Sequence, residues 1–96
     1  DHEFEYIVPS DDMSPEIVSG DTLTVNSRIH PHDGDLVVVE VEKKNHASQI
    51  VRRLYKYGKM LSLLAVNPSI KPMNVDADKI TIKGKVTELR RSLRSN

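Results

Sequence analysis

Cysteine and tryptophan are both missing from these 96 residues, and one Phe with three Tyr supplies all the aromatic rings. Without thiols there are no disulfides and no thiolate metal sites, which suits a chain kept in a reducing compartment. Long apolar runs are missing too: Leu36-Val37-Val38-Val39 and Leu63-Leu64-Ala65-Val66 are the longest. Both fall far short of the roughly 20 residues that cross a bilayer, and no signal-peptide layout opens the chain, so a soluble cytoplasmic protein is expected. Net charge is absent as well, with 14 Lys and Arg against 14 Asp and Glu, which disfavours phosphate binding as the main task. The first residue is Asp rather than Met, and an upstream segment is expected to carry any DNA-reading module.

What is present suits one domain over residues 1–96, with a single modest core. Charge is unevenly spread. Asp1, Glu3, Glu5, Asp11, Asp12, Glu16 and Asp21 crowd the start, whereas Lys79, Lys83, Lys85, Arg90, Arg91 and Arg94 load the end. The two ends can attract one another, within or between subunits, or stand as separately solvated faces.

Apolar residues recur with period two or in short β-branched runs, which predicts an all-β chain. The expected strands are Phe4 to Val8, Thr22 to Val25, Leu36 to Glu42, Gln49 to Tyr57, Met60 to Val66 and Ile80 to about Leu93. Turn formers fall between them at Ser19-Gly20-Asp21, Pro31-His32-Asp33-Gly34, Lys43-Lys44-Asn45, Tyr57-Gly58-Lys59 and Asn67-Pro68. One short helical turn is expected after Met13, with Ser14 as cap, Pro15 in the first position and Gly20 at the end. The last strand should bend near Gly84, and as a long terminal edge it offers Val86, Leu89, Arg90 and Leu93 for self-association.

Taken in order, Val8-Pro9, Met13-Ser14-Pro15, Gly20-Asp21, Asp33-Gly34-Asp35, Val51-Arg52-Arg53-Leu54, Asn67-Pro68 and Gly84-Lys85-Val86 resemble the LexA and phage-repressor family of serine/lysine self-cleaving proteins. The resemblance covers nearly the whole chain. It implies a LexA-like C-terminal domain, built from several strongly bent small sheets around a barrel-like core. In active relatives a Ser directly precedes the Met of the turn, and a Lys stands between Val and Arg on the later strand. Here Asp12 and Arg52 hold those places.

The family's chemistry needs a hydroxyl nucleophile and a neutral amine to take its proton. A carboxylate is a poor nucleophile toward an amide, and guanidinium keeps its proton at any relevant pH, so no catalytic residue is expected. The two are instead suited to a bidentate ion pair in place of the dyad. The other reading is two unrelated surface charges. A shifted register, with Ser10 or Ser14 as nucleophile and Lys56 as base, is disfavoured, because four strand residues move a base by roughly 13 Å. The family's scissile Ala-Gly or Cys-Gly pair does not occur in these residues.

Two other groupings carry less. His30 and His32 beside Asp33 and Asp35 resemble a ligand set, but on an ordinary turn they are expected to be solvated, so no metal and no cofactor is expected. Arg52, Arg53, Lys56 and Lys59, interleaved with Tyr55 and Tyr57, are a weak signal for single-stranded nucleic acid. The resemblance implies the non-cleavable dimerisation or oligomerisation domain of a phage or prophage repressor. It would act in the bacterial cytoplasm, reach DNA only through a missing N-terminal domain, and be relieved by an antirepressor protein. The rivals are an active peptidase with a shifted nucleophile and an unrelated small β-barrel binding module.

Overall fold

Strand β1 (Glu3–Ile7) turns Phe4 and Tyr6 toward the interior and leaves Glu3, Glu5 and Ile7 outside, the alternation expected where one face of a strand is covered. The computed structural model describes residues 2–93; Asp1 and Arg94 of the charged ends lie outside the described residues. Six further strands follow: β2 (Thr22–Asn26), β3 (Leu36–Lys43), β4 (His46–Tyr57), β5 (Met60–Leu64), β6 (Met73–Asp76) and β7 (Ile80–Arg90). All pair antiparallel in one sheet of order β1-β2-β7-β3-β4-β5-β6.

The all-β expectation holds. In place of several small sheets around a barrel-like core there is one open sheet, with β1 and β6 at its edges. The bending is concentrated in β7. Against β3, Val38 pairs with Gly84 and Val39 with Ile82, which leaves Lys83 over; against β2, Thr24 pairs with Glu88 and Val25 with Val86, which leaves Thr87 over. Each surplus residue is a bulge that sharpens local twist. Gly84 is required between them, because a Cβ there would lie 2.7 Å from the backbone oxygen of Asn26.

The expectation of β7 as an edge strand is corrected. Ile80 to Lys85 pair with β3, and Lys85 to Arg90 pair with β2, so β7 joins two parts of the sheet that do not otherwise touch in register. Each half of β7 thus has a strand on one side only: Ile80 to Gly84 are not in register with β2, and Val86 to Arg90 continue past the start of β3 without a strand partner on that side among the described residues. The strand also ends at Arg90, short of Leu93.

Strand β3 separates two apolar clusters, which explains why Val37, Val38 and Val39 are all buried. Val38 joins Tyr6, Val8, Met13, Ile17, Leu23, Val25 and Val51 in the first cluster. Val37 and Val39 join Leu54, Leu61 and Leu63 in the second. Strand β6 has no counterpart among the strands expected from sequence: with Met73 and Val75 as its only large apolar residues, it is a strand through its pairing to β5.

The segment after Met13 forms turns and no helix. A single helical-type bond runs from the Ile17 N–H to the Met13 carbonyl at 3.0 Å, and the Ser14–Pro15 peptide bond is cis. Carboxylates cap this loop rather than Ser14: Asp11 accepts the Ser19 N–H at 2.9 Å, and Asp21 accepts the Val18 N–H at 3.0 Å. No helix among the described residues is long and apolar enough to cross a membrane.

Candidate functional site

The loop over residues 9–21 is pinned at its base and through its middle. Val8 donates to the Asp21 carbonyl at 2.9 Å, and Gly20 donates to the Val8 carbonyl at 2.8 Å, so the loop closes on itself. Met13 and Ile17 plunge into the first core cluster and are fully buried. Each such side chain contributes about 1.5–3 kcal/mol on burial, which fixes the residues between and beside them. Asp12, next to Met13, is therefore presented at a defined place, and its carbonyl also accepts the Asn67 N–H at 3.0 Å.

Arg52 reaches that place from the middle of β4. Its Nη2 lies 3.0 Å from Asp12 Oδ2, a contact between residues 40 apart in sequence. The Arg52 side chain is 10% exposed and that of Asp12 is 32% exposed, so the pair sits at the edge of the core with the carboxylate on the wet side. Geometry departs from expectation in one respect. The contact has one point rather than two, because Arg52 Nη1 donates to the Val51 carbonyl at 2.8 Å.

A small hollow of about 20 Å³ lies beside the pair, bordered by Tyr6, Pro9, Ser10, Asp12, Gln49 and Arg52. That is room for about one water. Tyr6 donates its hydroxyl to the Gln49 carbonyl at 2.9 Å. Burial pushes the Tyr6 hydroxyl above its ordinary pKa, with Arg52 pulling it down and Asp12 adding to the rise. Chemically, the arrangement binds rather than shuttles: guanidinium only donates, carboxylate only accepts, and phenol keeps its proton.

The other candidates are scattered. Ser10 Oγ accepts the Asp12 N–H at 3.5 Å, whereas Lys56 Nζ lies against His30 Nε2 at 3.1 Å and the Pro31 carbonyl at 3.2 Å, in the loop between β2 and β3. Lys56, the base of the shifted dyad, is thus engaged in that loop and not with Ser10. His32 gives its N–H to Asp35 Oδ2 at 2.8 Å, and Asp33 Oδ1 accepts the Lys56 N–H at 2.9 Å. Among the described residues no three potential metal ligands converge. The suspected nucleic-acid surface is dispersed as well: Arg52 turns to Asp12, and Arg53 bonds Glu16 and the Gly34 carbonyl.

One pairing has no signal in the sequence beyond the opposite charge of the two ends. Asp21, whose side chain is 1% exposed, receives Arg91 in two-point fashion, Nε to Oδ1 at 2.7 Å and Nη2 to Oδ2 at 2.6 Å. The guanidinium holds the Asp21 carboxyl below its ordinary pKa, against the opposing effect of burial, and the Val18 N–H helps. Glu5 and Arg90 form a second contact between acidic start and basic end. The uneven charge is therefore spent, at least in part, within one chain.

A family profile described as Peptidase S24-like matches residues 1–87, which takes in the loop, β4 and most of β7. The LexA repressor of Deinococcus radiodurans is 29% identical over 70 residues, 73% of this chain and 32% of that protein. The match spans about a third of the repressor's length.

Proposed function

Because this chain belongs to the Peptidase S24-like family, we propose that it is the self-associating C-terminal domain of a phage or prophage transcriptional repressor, non-cleavable because an ion pair replaces the serine/lysine dyad. The observation that carries this reading is the contact of Asp12 and Arg52 at 3.0 Å, on the frame where the family's nucleophile and base would stand. Neither group supplies an attacking hydroxyl or a neutral amine, so the site is a clasp between loop and β4.

Such a domain acts by multivalency. Two linked DNA-binding modules hold a paired operator far more tightly than one, because the second contact becomes intramolecular. The proposed contact surface is the unpaired side of β7 from Val86 to Arg90, with Leu89 at 40% and Leu93 at 102% exposure beside it. A repressor that cannot cut itself needs another release, for which an antirepressor protein in the bacterial cytoplasm is the proposed partner. DNA would be reached only through an N-terminal domain.

The test is prolonged incubation of the full-length protein at alkaline pH, which favours a lysine base. The expected outcome is an intact chain on a denaturing gel. Two discrete fragments that persist in an Asp12→Ala variant would overturn the reading in favour of a peptidase with a shifted nucleophile.

A further inference from the structure

The loop between β2 and β3 overhangs a hollow of about 220 Å³, separate from the Asp12–Arg52 clasp, walled by Arg28, Ile29, His30, Pro31, Lys56 and Ile82. No carboxylate lines it. The cations around it divide into two groups. Lys83 and Lys85 on β7 have acidic partners, Glu40 at 3.9 Å and Asp35 at 3.3 Å. Among the described residues Lys56 has no acidic partner, lying against His30 Nε2 and the Pro31 carbonyl, and Arg28 forms no ion pair. Asp33, the acid closest to Lys56 in these contacts, spends Oδ1 on the Lys56 backbone N–H.

Lys56 is partly buried, so its uncompensated charge is less well solvated than one on an open surface. Its ammonium has three N–H donors; one goes to the Pro31 carbonyl, His30 Nε2 lies beside it at 3.1 Å, and at least one donor remains. Arg28 adds a guanidinium with five donors. The hollow thus combines surplus donors and surplus positive charge with an apolar wall of Ile29 and Ile82.

We propose that this hollow binds a small carboxylate with a short branched apolar body, its oxygens on Arg28 and the remaining Lys56 N–H, its body against Ile29 and Ile82. The volume admits an acid of a few carbons with room to spare. Gly84 also borders the hollow, at the point where β7 leaves β3 for β2, so a bound acid would tie the overhanging loop to the crossing strand. The proposal is independent of whether the clasp is catalytically dead.

Titrating the isotope-labelled full chain with isobutyrate at fixed ionic strength, followed by amide NMR, tests it. Saturable shifts are expected at Ile29, His30, Lys56 and Ile82, with affinity weakened about tenfold or more in Arg28→Gln and in Lys56→Met. Arg28 is exposed, so its variant keeps the fold even if that of Lys56 does not. Inorganic phosphate should bind more weakly than isobutyrate. Linear, unsaturated shifts up to tens of millimolar, equal binding by Arg28→Gln and the parent, or phosphate binding as tightly as isobutyrate would each overturn the proposal.

Discussion

At the scale of residues, the two ion pairs of the 9–21 loop differ in kind. The Asp12 carboxylate is partly wet and is touched once; Asp21 is dry and is gripped at two points. A coupling of about 1–2 kcal/mol is expected between Asp12 and Arg52 in a double-mutant cycle of Asp12→Asn and Arg52→Met, between the values typical of exposed and of buried pairs. Asp12→Asn should cost more than Arg52→Met, because it leaves a buried guanidinium without its counter-charge. Urea denaturation measures this, and coupling below a few tenths would mean two unrelated surface charges. For Asp21 the prediction concerns pH. Its folded carboxyl is held below the unfolded value, so the stabilisation is complete above about pH 4 and is lost as pH falls through the lower folded value. Arg91→Gln should therefore be less stable than the parent at pH 7, and the gap should close in acid; a gap of the same size at pH 3 would refute the assignment. The first pair was legible because a family frame placed both residues. The second was not, since no spacing rule links positions 70 apart.

At the scale of elements, β7 shows what periodicity can and cannot reveal. The bend near Gly84 was readable from the glycine inside the alternation Ile80, Ile82, Gly84, Val86 and from Leu89 and Leu93, which break that alternation. The strand's place inside the sheet was not, because alternation reports which faces are covered and is silent on neighbours. The helix expected after Met13 failed for a related reason: Met13 and Ile17 are drawn into the core and the loop's N–H groups find the carboxylates of Asp11 and Asp21, so no second helical bond is needed. Gly84→Ala tests the crossing. Its methyl would press on the Asn26 backbone and on the buried Val25 side chain, and a loss of about 1–3 kcal/mol is expected in chemical denaturation. Stability equal to the parent would show that β2 can step aside at no cost.

At the scale of the whole molecule, the strand content and the position of six strands followed from composition and pattern, whereas the single open sheet depended on a strand order that no local signal encodes. Self-association belongs here too. Light scattering at tens of micromolar is expected to give a dimer or larger, and Leu89→Glu is expected to shift it toward monomer by placing a charge on the proposed contact; a parent that is already monomeric removes that role. The crossing strand also sets a clock on synthesis. Thr22 of β2 must wait for Arg90, and at about 5–20 residues per second the ribosome needs roughly 3 to 14 s to deliver it. For that interval the nascent β1 and β2 hold Leu23 and Val25 with no β7 beside them, so the arrival of β7 ends the exposure of that edge to chaperones and to other nascent chains.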